Sequence, residues 1–406
     1  MKLVDQELVK KVKAEVARYR EDIIQFMRDI VAIPSPNGNI EAVAKRIAEE
    51  MKKLGFDDVF FDSMGNVLGR IGNGPKILLY DSHIDTVDVA DPTQWQWDPF
   101  KGKIENGILY GLGAGDEKNS TPGMVYGLKI IKDLGLAKDF TLYYFGNIEE
   151  ICDGVAPNSL VETDKIRPDF VVIGEPTNMR IYRGHRGRVE MKVTTKGRTC
   201  HASAPERGVN ALYKMAHIIT AISQMGDEFV NDPFLDKGSI AVTDIHVKTP
   251  SINALPDEAV IYIDRRLTFG ETKEMAVEQV RKVAAPHGGE VEVLWFNEPS
   301  YTGFVFEVDK YYPAWALPEG HDLVQAGVTT YERLFGNKPE IGKWVFSTNG
   351  TYWMGKANIP SIGFGPGDEQ YAHTVLDQVP IEDLVRSTEF YALFPTVLAE
   401  RLGGQK

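Results

Sequence analysis

Three apolar runs, each ending in acidic or imidazole side chains, constrain the fold of this chain most. Ile77-Leu78-Leu79-Tyr80 leads into Ser82-His83-Ile84-Asp85-Thr86-Val87, Thr141–Phe145 into Asn147-Ile148-Glu149-Glu150, and Phe170-Val171-Val172-Ile173 into Gly174-Glu175-Pro176-Thr177. Runs this short and this apolar read as buried strands. A helical pattern from about Pro122 to Leu134, with Val125, Leu128 and Ile131 apolar, separates the first run from the second. Strand–helix–strand alternation of this kind points to an α/β fold with a mainly parallel, helix-covered sheet. Ligands of such sheets gather beyond the carboxyl ends of the strands. His83 and Asp85, two residues apart, point to one side there because side chains alternate along a strand.

The flanking chain fits the same architecture. Leu8, Val12, Val16, Tyr19, Ile23, Phe26 and Ile30 recur at helical spacing over residues 5–31, and Pro34-Ser35-Pro36-Asn37-Gly38 ends the pattern. A second helix is expected over 39–54, closed by Gly55, and a hairpin over 57–72. Residues 92–110 read as a loop with a short hairpin over the site. The turn Gly111-Leu112-Gly113-Ala114-Gly115-Asp116-Glu117-Lys118 lacks the Lys-Ser/Thr ending of a nucleotide P-loop, which excludes that reading.

Near residue 185 the texture changes. Val189, Met191 and Val193 alternate with Glu190, Lys192 and Thr194, as in a half-buried strand. A helix over 208–225, strands at Ser239–Val247 and Ala259–Leu267, a helix over 272–285 and a strand at Glu290–Phe296 follow. The order βαββαβ is the ferredoxin-like unit, and its length suits an inserted domain. The expected division is 1–180 and 297–406 for the larger domain and 181–296 for the inserted one. After it come a helix around 320–335, strands at Trp344–Phe346 and Ile359–Phe364, and a helix over 381–402.

Composition narrows the function classes. Of 406 residues, 43% are hydrophobic and 25% charged, as in an ordinary globular protein. A net charge of −13 with no basic stripe argues against a nucleic-acid partner. The two cysteines, Cys152 and Cys200, form no disulfide framework. With no apolar run of membrane-spanning length and no apolar leader, a cytoplasmic setting is expected.

Five clusters carry the candidate chemistry: His83/Asp85, Asp116, Glu149-Glu150, Glu175, and His373 in Tyr371-Ala372-His373-Thr374. Each alone has a bland explanation, since surface glutamates are usually solvated and Glu175 before a proline can cap a turn. Together they form a mixed imidazole/carboxylate set that suits zinc, cobalt or manganese. The set is too large for one zinc ion. Two metals bridged by one carboxylate, with a water between them, is the arrangement that uses it.

At these residues the chain resembles the di-zinc aminoacylase/carboxypeptidase metallopeptidase family, which includes acetylornithine deacetylase, succinyl-diaminopimelate desuccinylase and glutamate carboxypeptidase. The resemblance runs over essentially the whole chain. It implies that His83 and Glu175 hold one metal, Glu150 and His373 the other, and Asp116 bridges them. It also implies that Asp85 orients His83 and that Glu149 is the general base. Gly197-Arg198-Thr199-Cys200-His201-Ala202-Ser203 resembles the loop whose histidine reaches the partner subunit's active site and polarises the scissile carbonyl. Asn253-Ala254-Leu255-Pro256 followed by Asp264-Arg265-Arg266 resembles the family's substrate-binding pattern, in which Arg266 would grip a carboxylate. Strand alternation puts Arg265 and Arg266 on opposite faces, so one of them faces the cleft. The resemblance further implies a homodimer through the inserted lid, and lid closure over the site.

Departures bear on substrate class. Asp116-Glu117-Lys118-Asn119 stands where the family usually has Asp-Met-Lys-Gly, and Ser347-Thr348-Asn349-Gly350-Thr351 where a Gly-Thr-Asp is common, which raises the question of whether Asn349 replaces that Asp. The combination is similar to the selenium-metabolism hydrolase branch. The expected function is metal-dependent hydrolysis of an amide bond in a small N-acyl or N-carbamoyl amino acid or short peptide. The competing expectations are a non-catalytic binding protein for small carboxylate ligands and a structural protein on a repurposed fold. The last ranks lowest, because a buried acidic cluster is costly without metal.

Overall fold

The computed structural model describes residues 3–403 apart from 37, 90, 150 and 151. Its larger part is a nine-stranded sheet. The spatial order is Asp58–Phe61, Val67–Ile71, Phe140–Asn147, Lys76–His83, Phe170–Ile173, Ser361–Gly363, Ile181–His185 and Trp315–Ala316, with Ile341–Trp344 also paired to Ile181–His185. The four strands from Phe140–Asn147 to Ser361–Gly363 run parallel. The hairpin at one side and Ile181–His185 at the other pair with them antiparallel. Phe170–Ile173 is buried at every position and Lys76–His83 from Leu78 onward, which is why both read as continuous apolar runs rather than alternating ones.

Helices Leu3–Val31, Ser120–Asp133 and Ile381–Gly403 supply apolar side chains to the same core. Gly127 permits the close approach of the last two: a Cβ there would lie 2.9 Å from the Cβ of Tyr391. The Tyr80 hydroxyl donates to the Tyr391 carbonyl (2.6 Å), tying the central strand to the C-terminal helix.

The second part is a smaller sheet, ordered Ser239–Lys248, Glu258–Leu267, Gly187–Lys196, Gly289–Val293, with all pairs antiparallel. Helices Ala211–Ile222 and Lys273–Ala284 complete βαββαβ. Asn210 and Thr272 cap them, each side chain accepting backbone N–H groups of the first turn. Val189, Met191, Val193, Met215, Ile218, Ile261, Ile263 and Val280 form a separate core.

Several expectations shift. Ile181–His185 belongs to the large sheet and Gly187 opens the small one, so the change of sheet lies a strand later than the expected division at 180/181. The run Glu290–Phe296 divides at Leu294: Gly289–Val293 joins the small sheet, and Trp295–Phe296 pairs with Val308–Asp309. The strand expected at Trp344–Phe346 is Ile341–Trp344. A helix at Val155–Glu162 and a π-helical turn at Thr351–Lys356 had no clear sequence signal. Both are short and follow a glycine.

Candidate metal centre

His83 ends the central strand, and Glu149 and Glu175 lie two residues beyond the ends of its neighbours Phe140–Asn147 and Phe170–Ile173. The parallel register therefore brings them to one rim. Asp116 comes from the glycine-rich turn just before helix Ser120–Asp133. That turn is held by Asp377, whose carboxylate accepts the N–H groups of Gly113 (2.6 Å) and Gly115 (2.5 Å). Glycine is required there: Gly113 has φ +83°, and a Cβ on Gly115 would sit 2.8 Å from Asp377 Oδ1. Asn119 Nδ2 pins the other side by donating to the carbonyls of Ala114, Gly115 and Pro366.

Asp116 lies between two histidines. Its Oδ1 is 3.0 Å from His83 Nε2 and its Oδ2 is 3.2 Å from His373 Nε2. Glu175 Oε1 is 4.0 Å from His83 Nε2, and ligand atoms of His83, Asp116 and Glu175 all fall within 4.8 Å of one another. His83 Nδ1 meets the backbone carbonyl of Asp85 at 3.1 Å, with the Asp85 carboxylate at 3.8 Å. Asp85 thus touches the ring more closely through its main chain than through the carboxylate expected to orient it. Glu117 accepts the His83 backbone N–H at 3.1 Å.

Burial works against ionisation at His83, Asp116 and Glu149. It is outweighed at His83, whose pKa is held above its usual value by Asp116, Glu117 and Glu175, and at Asp116, which His373 and His83 hold well below the usual carboxylate range. At Glu149 burial prevails, reinforced by Asp85 and Glu298, and the carboxyl is pushed up to about 7. A divalent cation fits the set: imidazole and carboxylate atoms converge at ligand spacing, and the charge that a metal would supply is otherwise carried by protonated imidazole.

Next to the cluster lies a cavity of about 500 Å³, whose lining includes Asp116 and His373 from the larger part, Arg188 and Arg266 from the small sheet, and Asp153, Phe346 and Ser347. Arg266 therefore faces the cleft. Arg265 is fully buried on the other face, paired with Glu271 and stacked on Phe229. His201 and Asn253 are brought to each other on an exposed loop: residues 201 and 254 form a backbone bridge, and Ala202 N–H donates to the Asn253 carbonyl (2.8 Å). Neither is among the described residues lining the cavity. Glu150 lies outside the described residues. Asn349 sits behind the site, accepting from Gly154 N–H (2.8 Å) and donating to Asp81 (3.2 Å) and Asn147 (2.9 Å).

Residues 183–292 match the peptidase dimerisation domain of the M20 peptidases. The chain belongs to the M20 metallopeptidase family and is an enzyme acting on amide or peptide bonds. The uncharacterised protein YgeY of Escherichia coli (strain K12) is 43% identical over 380 residues, covering 93% of this chain and 94% of YgeY. An acetylornithine deacetylase from Proteus mirabilis (strain HI4320) is 27% identical over 376 residues, covering 86% of this chain and 90% of its own length. Among solved structures, the Bacillus subtilis YXEP protein, described as a dinuclear metal binding peptidase, shares the fold with a TM-score of 0.70 at 14% identity, over 95% of this chain and 99% of its own.

Proposed function

We propose that the chain hydrolyses the amide bond of a small N-acyl or N-carbamoyl amino acid or short peptide, using two divalent metal ions, zinc in this reading. The observation that carries it is Asp116, with one carboxylate oxygen on His83 and the other on His373. His83 and Glu175 would hold one ion, His373 and Glu150 the other, with Asp116 between. Bound there, such ions supply the Lewis acidity that brings the pKa of water toward neutrality. The residues perform the proton work. Glu149, buried and raised to about 7, takes a proton from the attacking water near neutral pH and returns it to the departing amine. Arg266, on the cleft wall, holds the substrate carboxylate.

His201 and Asn253, exposed together on the small domain, act in this reading across a homodimer. His201 donates to the carbonyl oxygen as it gains charge, and Asn253 contacts the substrate. The matched dimerisation domain supports that assembly. A cytoplasmic setting belongs to the reading as well, supported by the free thiols of Cys152 and Cys200. Turnover on a panel of N-acyl, N-carbamoyl and dipeptide substrates, with zinc, cobalt or manganese supplied, tests the proposal. Amide hydrolysis that chelation abolishes and metal restores supports it, and no turnover across the panel contradicts it.

A further inference from the structure

Arg188 lines the cleft beside Arg266. The two are direct cross-strand partners in the small sheet. Their flanking residues Val189 and Arg265 are buried on the opposite face. Like charges directly opposite in an antiparallel pair destabilise it, so this pairing needs compensation, and the structure provides it. Asp264 takes Nε and Nη2 of Arg266 at 2.8 and 2.9 Å. Asp153, from the loop just after Glu149, takes Nη2 of Arg188 at 2.9 Å and also accepts from Ser347 Oγ. Glu190 lies 3.4 Å from Arg188 Nε, and the Arg188 guanidinium stacks on Tyr312.

Arg266 is thus anchored along one edge and Arg188 through Nη2, with its Nε buried and without a hydrogen bond; among the described residues Nη1 of each has none either. Both forks stay charged at any working pH. Directly opposed residues have Cβ atoms roughly 5 Å apart, a spacing that suits two carboxylates separated by two or three carbons. One carboxylate occupies one fork bidentately; the second fork asks for a second acid.

We propose that Arg188 and Arg266 form one two-carboxylate subsite, so that the preferred amino-acid moiety is acidic, of the aspartate or glutamate class. The proposal rests on the reading of Arg266 as the carboxylate grip and goes beyond it by assigning Arg188 the side-chain acid. It is tested by calorimetric binding of free L-aspartate, L-glutamate, L-asparagine and L-glutamine to the full-length zinc-loaded protein. Because no turnover is needed, a failure here is separate from a failure to hydrolyse amides. The acids should bind about ten-fold or more tightly than their amides. Arg188→Met should erase that preference, and Arg266→Met should weaken all four ligands. Equal binding of acids and amides by the unmodified protein, absence of binding by all four, or an equal loss for acids and amides in a folded Arg188→Met protein would each overturn it. The preference in the unmodified protein reads the subsite even where a variant does not fold.

Discussion

His185 is a fully buried imidazole that the fold keeps neutral. Its Nδ1 faces the Arg186 carbonyl at 2.7 Å, its Nε2 accepts the Thr348 N–H at 3.0 Å, and Trp315 and Trp344 pack on the ring. Burial lowers its pKa to about 4, with Arg266 and Arg188 adding to the depression. The unfolded chain protonates this group near 6.5, so between those values the unfolded state binds the extra proton. The resulting stability is complete above about pH 6.5 and is lost as pH falls toward 4, amounting to about 3 kcal/mol. Denaturant unfolding of metal-free protein from pH 7.5 to 4.5 checks this: His185→Gln should flatten the profile, and an unchanged slope would assign the acid sensitivity to other groups. Glu149 is buried and raised to about 7. Glu149→Gln should leave metal content near normal and lower turnover by about 10²–10⁴-fold; full activity in that variant would remove Glu149 as the base.

The glycine-rich turn shows how an element positions a residue that never touches its own support. Asp377, immediately before the strand Gln378–Pro380, holds Gly113 and Gly115, and through them places Asp116. Asp377→Ala should cost about 1–3 kcal/mol of stability for each N–H left unpaired. It should also weaken metal binding about ten-fold or more, read by metal titration; unaltered affinity would mean that the turn holds its shape unaided. The strand ends carrying His83 and Glu175 are legible because burial on both faces leaves a contiguous apolar run whose end is sharp, and the one before Glu149 because its run stays apolar although Thr141 and Tyr143 are half-buried. Asp377 and Arg188 were not legible. Asp377 acts on backbone N–H groups more than 260 positions earlier in the chain, and Arg188 reads as one polar position in an alternating strand until the partner register sets it opposite Arg266. Asn349 stood out as a departure from a family motif, and its hydrogen bonds place it behind the strand ends rather than in the cleft. The strand Trp295–Phe296 reads as one with its predecessor in the sequence, because pairing partners, not local pattern, separate the two.

At the scale of the molecule, the cleft is made by two separately cored parts, one carrying the His83–Asp116–His373 cluster and the other Arg188 and Arg266. In the proposed function, a partner subunit supplies His201 and Asn253, which are exposed on the second part. Mixing His201→Ala with Glu149→Gln subunits should then restore part of the activity that each homodimer lacks, whereas mixtures as inactive as their parents would remove the trans role. In the proposed function Asp116 sits between two metal sites. Elemental analysis of protein purified without chelator, alongside Asp116→Ala, decides this. About two divalent ions per chain are expected in the unmodified protein, with loss of both in the variant. Metal-free protein even after zinc, cobalt or manganese is supplied, or an Asp116→Ala variant that keeps its full complement, would contradict it.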